Sequence, residues 1–415
     1  MIALKLNKLL LPLAVATALT TAQQATAAVY VQCPGDTDGD AVPEVGAPGY
    51  DPAVKCMHLA AGDGFSTMAD GKVVYGFGFS DVTGVPSANA LSVGLLAANF
   101  SAPTIELKEG DKFYLTLTNV GMLIRPDLFD PHTVHFHGFP NQAPVFDGMP
   151  EGSFGINMGA SVTYFYNITE AGTFIYHCHM EATEHMQMGM LGNLFVRPAQ
   201  DDGPSIAGYT RFAYNDGDGS TGYHKAYPLQ LGSLDHNFHD ASEAVQPLPF
   251  AEMRDTYTLF NGRGYPDTVN PDALPTPLDP DTLESKNLGN QSQKVSSLVT
   301  LDRATGATKL LLRFSNLNVT NYYTVTALGL PMRVVGGGAH IARGPDPDGA
   351  GPLQSKDLYY DTSSVTLGGG EAVDVIVDTA GLPAGTYFLY TTNFNYLSNN
   401  DQDFGGMMTE IVVQN

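Results

Sequence analysis

The sequence predicts an all-β chain made of two β-sandwich or Greek-key β-barrel domains. Three observations carry that expectation. Short runs rich in β-branched and aromatic residues, such as Lys112-Phe113-Tyr114-Leu115-Thr116-Leu117, alternate in the manner of strands. Turn formers separate them, with 45 glycines and 27 prolines in the chain, and long amphipathic helices are hard to find. At 415 residues, 43% of them hydrophobic, the chain has length and apolar material for two cores.

Taken in order, residues 1–27 have the layout of a cleaved secretory signal: Lys5 and Lys8, an apolar run from Leu9 to Leu19, then Ala25-Thr26-Ala27. The run is too short to span a bilayer, so a periplasmic or secreted protein without a membrane span is expected. Residues 28–72 read as an N-terminal extension, in which Cys33 and Cys56 bracket a turn-rich loop and are free to pair. The same extension holds Asp36, Asp38 and Asp40 around Gly39, a spacing that resembles an acidic calcium loop; a solvated acidic turn is the equally weighted alternative. The first barrel is expected over 73–198 and the second over 255–415, with strands near Lys309 to Phe314, Val373 to Asp378 and Thr386 to Tyr390. Residues 199–254 between them, Gly- and Asp-rich and holding His224, His236 and His239, read as a linker, a lid or a hairpin.

The two barrels end alike. Ala171-Gly172-Thr173-Phe174-Ile175-Tyr176 and Ala384-Gly385-Thr386-Tyr387-Phe388-Leu389-Tyr390 are each followed by a Gly-Met step and a β run, which suggests an internal duplication. A formal charge of -23 argues against nucleic acid and anionic membrane as partners, since both are polyanions. It is compatible with cationic substrates or metal ions, and equally with solubility alone.

The chemistry concentrates in two short segments, His132-Thr133-Val134-His135-Phe136-His137-Gly138 and His177-Cys178-His179, the latter followed by His185 and Gly189-Met190. Side chains alternate along a strand, so His135 and His137 share a face while His132 takes the other; the same parity separates Cys178 from His177 and His179. Two back-to-back copper environments follow. His132, Cys178, His185 and Met190 offer two imidazoles, a thiolate and a thioether, the set that suits a blue electron-transfer copper. His135, His137, His177 and His179 offer imidazoles alone, which suits a copper that handles dioxygen or another small oxidant. The chain from Cys178 to its flanking histidines is then the electron route. Met180, Met186 and Met188 are read as core packing, with copper(I) or substrate contact as the lesser alternative.

At these residues the chain resembles the multicopper oxidase superfamily, specifically its two-domain laccase-type and nitrite-reductase-type members. The family pattern His-x-x-His-x-His-Gly, then His-Cys-His, a loop His and Gly-Met is met by His132, His135, His137, Gly138, His177, Cys178, His179, His185, Gly189 and Met190. The resemblance implies two cupredoxin-like barrels, a copper oxidoreductase, and an external donor that is a small molecule, a metal ion or a redox protein. The Cys178-to-His185 loop is longer than in most laccases. A laccase-type trinuclear cluster also takes four His-x-His motifs, and this chain has two, both in the first barrel. Completion by a homo-oligomer, completion by another partner, and a smaller copper centre all remain open. Nitrite reductases are the runner-up, but His135 stands where their catalytic Asp would be, and their further histidines would fall near Met332 and Asn393; His340 is a weak substitute. An electron-transfer or copper-binding protein that uses only the blue site is the non-catalytic alternative.

Overall fold

Alternating inward residues build two β-sandwiches in the computed structural model, whose described residues are 29–139, 143–279, 281–287, 296–344 and 356–415. The expected signal segment lies outside them. The first barrel comprises β1 (Val54–Thr67), β2 (Val73–Asp81), α1 (Ser87–Gly94), β3 (Ile105–Lys108), β4 (Lys112–Gly121), β5 (His135–Phe136), β6 (Ser161–Asn167), β7 (Gly172–His177), α2 (Ala182–Met188) and β8 (Leu191–Arg197). Its sheets run β2-β1-β4-β6 and β3-β8-β7-β5. Phe113, Leu115 and Leu117 project from one face of β4 into a core shared with Phe174 and Tyr176 of β7 and Leu194 and Val196 of β8. That is the inward half of the period-two pattern.

The second barrel comprises β9 (Lys225–Leu234), β10 (Tyr257–Phe260), β11 (Val299–Asp302), β12 (Lys309–Asn316), β13 (Tyr323–Ala327), β14 (Met332–Gly337), β15 (His340–Ile341), β16 (Tyr360–Thr362), β17 (Ser364–Leu367), β18 (Glu371–Asp378), β19 (Gly385–Thr391) and β20 (Met408–Gln414). One sheet runs β10-β9-β12-β18-β14-β15, with β16 on β14, and the other β11-β20-β19-β13-β17. The hairpins β7–β8 and β19–β20 are the repeated endings seen in the sequence, each antiparallel, and Met190 and Met407 beside them are fully buried.

Two segments expected to lie outside the barrels belong to them. β1, in the expected extension 28–72, sits between β2 and β4 in the middle of a sheet. Its stretch Ala60-Ala61-Gly62-Asp63-Gly64 is small and polar because other chain presses on it: a Cβ on Gly64 would lie 2.7 Å from the Ala98 carbonyl oxygen. β9, in the expected linker 199–254, pairs in parallel with β12. Cys33 is disulfide-bonded to Cys56, fastening the N-terminal loop to β1.

The barrels meet where β7 packs on β12 and β18. Arg313 and Asp374 are fully buried there, 3.3 Å apart, and Asp374 also accepts hydrogen bonds from Thr173 Oγ1 and Tyr214 Oη at 2.6 Å each. One carboxylate thus joins β7 of the first barrel to the second.

Candidate metal centre

β5 and β7 are antiparallel neighbours, with His135 opposite His177 and Phe136 opposite Tyr176. This register brings the two histidine segments together. Parity then divides them. His132, Cys178 and His185 form a fully buried group whose donor atoms lie within 4.8 Å of one another, and His135, His137 and His177 form a second, partly buried group with the same spacing.

In the first group His132 Nδ1 is 3.9 Å and His185 Nδ1 3.3 Å from the Cys178 sulfur, while the Thr133 N–H points at that sulfur from 3.5 Å. Backbone pairing of His132 with Ile156 sets the first histidine. α2 sets the second, and the Met190 N–H donates to the His185 carbonyl at 2.8 Å while the Met190 carbonyl accepts from the Cys178 N–H at 3.1 Å. Met190 is completely buried beside them. Burial holds His132 neutral, far below the usual imidazole range. Burial also opposes charge on His185, but the Cys178 sulfur and Asp130 outweigh it and lift its pKa to about 10. Two imidazoles and a thiol, dry and convergent, fit a soft metal such as copper.

In the second group each ring is held from behind. The His177 Nδ1–H donates to the Cys178 carbonyl at 2.7 Å and the His135 Nδ1–H to the Asp147 carbonyl at 2.6 Å. His137 bonds the backbone of Gly370 in the second barrel. Such partners fix the tautomer and turn the other nitrogen toward a metal. Burial pushes the His177 pKa down to about 3, so its Nε2 carries a bare lone pair, and that atom lies 3.0 Å from His137 Nε2. At that distance the two nitrogens either share one hydrogen bond, with the His137 Nε2–H donating, or together ligate a cation. These residues therefore fit a metal too. His179 is adjacent, its ring centroid 5.0 Å from His135 and 5.4 Å from His177. A cavity of about 510 Å³ lined by His135, His137, Phe139, Asp147 and Met149 opens onto the group.

The remaining residues singled out in the sequence lie elsewhere in the fold. Among the described residues, no metal-capable cluster of His, Cys or carboxylates falls in the second barrel. His340 is mostly exposed and 3.7 Å from Glu170, Met332 is buried in the second core, and Asn393 caps a 3-10 turn. Met186 packs with Ile175, Leu191 and Leu317, and Met180 and Met188 pack on the first core. Asp36, Asp38 and Asp40 do cluster, but Asp36 Oδ1 accepts from the Gly39 N–H at 2.7 Å and Oδ2 from the Ala41 N–H at 2.8 Å. The loop is closed by its own backbone, and nothing beyond the cluster itself points to calcium.

Sequence reasoning missed Asp147, Gly370, Thr133 and Asp130. Asp147 touches His135 with both its carbonyl and, at 3.5 Å, its carboxylate; Asp130 lies 3.8 Å from His185 Nε2. Thr133 stood inside the His132–His137 motif, where its place between two ligand faces was a usable signal. Asp147, Asp130 and Gly370 had none, because only folding brings them to the rings.

The multicopper oxidase family model matches residues 83–201. Over 110 residues the chain is 32% identical to a multicopper oxidase, elcG, of Phaeosphaeria nodorum, covering 26% of this chain and 16% of that protein. Across the curated relatives it matches, the chain spans only 15–22% of their length. Among solved structures, a blue copper oxidase from Nitrosomonas europaea superposes with a TM-score of 0.60 at 19% identity, covering 87% of this chain and 86% of that one. A copper nitrite reductase from the same organism gives 0.53 at 15% identity, covering 87% and 94%. At such identities these two likenesses establish the two-barrel cupredoxin fold and do not separate the two chemistries.

Proposed function

We propose that this chain, whose first barrel belongs to the multicopper oxidase family, is a laccase-like oxidoreductase that takes electrons from an external donor and delivers them to dioxygen. Copper, when bound, would supply the one-electron redox chemistry. One observation carries the reading: Cys178 places its sulfur in one ligand group while the residue bonded to it through the peptide, His177, places its imidazole in the other. No two donor groups could be wired by a shorter stretch of chain.

Each residue then has a definite task. His132, Cys178, His185 and Met190 would hold the blue copper, with the Thr133 N–H tempering charge on the sulfur. His135, His137, His177 and His179 would hold the second centre, beside the open cavity through which a small oxidant enters. Asp147, at the cavity wall and against His135, is placed to hold or pass a proton. The edge of His185 faces Asp130 and Glu181, which favours a cationic or hydrogen-bonding donor there. Histidine at position 135, and the absence of imidazole clusters from the described part of the second barrel, favour an oxidase over a nitrite reductase. A second copy of the chain would complete the imidazole set across the open cavity. The Cys33–Cys56 disulfide agrees with a periplasmic or secreted address, and no helix of the described residues is long and apolar enough to cross a membrane.

The experiment is Cys178→Ser with copper loading. The thiolate-to-copper absorption and oxygen uptake with a reducing donor should vanish together; uptake that survives loss of the band rules out the proposed route. Nitrite turnover without oxygen uptake in the native protein would transfer the reading to the nitrite reductases. Colour with neither activity would leave a pure electron carrier.

A further inference from the structure

The segment between β9 and β10 of the second barrel runs as a strap across the end of the first barrel where Cys178 lies. After β9, Asp235 turns the chain, its Oδ1 accepting from the Asn237 N–H at 3.0 Å and its Oδ2 from the Arg254 N–H at 2.9 Å. Between these points lies α3 (His236–Glu243). Phe238 of α3 is fully buried in the first barrel's core. His239 is 1% exposed, and its two ring nitrogens reach two different parts of that barrel. Nδ1 is 2.5 Å from the Tyr75 carbonyl oxygen in β2, and Nε2 is 2.9 Å from the Gln187 carbonyl oxygen in α2.

Gln187 lies between His185 and Met190, and its carbonyl is one of those a helix leaves unpaired in its last turn. Three residues beyond His239, the Ser242 carbonyl accepts from Arg125, on the loop that leads to His132. α3 therefore grips both segments that bring imidazoles to Cys178. We infer that His239 is a positioning residue for the blue copper: by bridging β2 to α2 it fixes how His185 approaches the Cys178 sulfur. This rests on the copper reading above.

Both partners of His239 are carbonyl oxygens, so the neutral ring donates to one of them and packs its other nitrogen against the second; its rigid width spans β2 and α2, which a flexible amide does not reproduce. Two substitutions follow from that, His239→Ala and His239→Gln. Each full-length variant is loaded with copper and compared with the native protein by reduction potential, thiolate-to-copper absorption and paramagnetic resonance. The expected result is retained colour, a changed hyperfine splitting, and a several-fold change in the ratio of reduced to oxidised copper at fixed potential, larger for Ala than for Gln. Colour lost from a folded variant also supports the assignment. Native potential and hyperfine splitting in both folded variants overturn it, because α3 would then be scaffold only. Should the Ala variant not fold, the Gln variant decides; failure of both to fold overturns the inference, since His239 would then serve the fold as a whole. A native protein with no thiolate-to-copper band would sink the copper reading itself, a result separable from all of these.

Discussion

Gly370 is the point where the second barrel touches the second imidazole group, and Gly370→Ala tests whether that contact matters. Its φ is +92°, a conformation an L side chain adopts at a cost of about 1–2 kcal/mol. The new Cβ would also lie 3.2 Å from His137 Cε1 and 3.3 Å from Nδ1, closer than ordinary van der Waals contact. The turn cannot easily retreat, because the Gly370 N–H is bound to the Asn316 carbonyl at 2.8 Å. The ring must give way instead. Loss of such an orienting partner typically lowers metal affinity about 10- to 100-fold, which a strain of ~1.4 kcal/mol would match at its lower limit. The blue group has no contact with Gly370, so its absorption should persist. Copper titration followed by paramagnetic resonance and elemental analysis would read the two centres separately. Native affinity at the non-blue centre, or loss of the blue copper first, would refute this account of how the barrels cooperate.

Two further outcomes are expected. Asp374→Asn strips the carboxylate charge from buried Arg313 at the interface of the barrels and should cost roughly 3–5 kcal/mol in denaturant unfolding; a loss under about 1 kcal/mol would mean that water or Tyr214 compensates. His58, buried in β1, has its pKa pushed down to about 4, with burial the main cause. A histidine kept neutral by the fold contributes stability in full above its unfolded pKa near 6.5, and loses it as pH falls toward the folded value. The gap corresponds to roughly 3 kcal/mol. His58→Leu should therefore flatten the fall in stability between about pH 6.5 and 4, and an unchanged pH slope would count against the assignment.

The kind of fold and the division of the histidines and Cys178 between two groups were legible in the residues alone. Odd and even spacing around His132, His135, His137 and Cys178 depends on one torsional repeat of an extended chain, so it survives without knowledge of anything distant. β12, β18 and β19 were legible for a similar reason, their β-branched and aromatic runs being local. β1 and β9 were not legible. Glycine, alanine, aspartate and proline weaken their strand signal, and each pairs in parallel with a strand remote in sequence: β1 with β4, and β9 with β12. Only in the folded chain does Gly370 come to back His137, Asp147 to back His135, and His239 to bridge β2 and α2. Each of these is a contact through backbone groups. The backbone is the same in every residue, so no side-chain pattern can announce which stretch of it a folded chain will bring to a given ring.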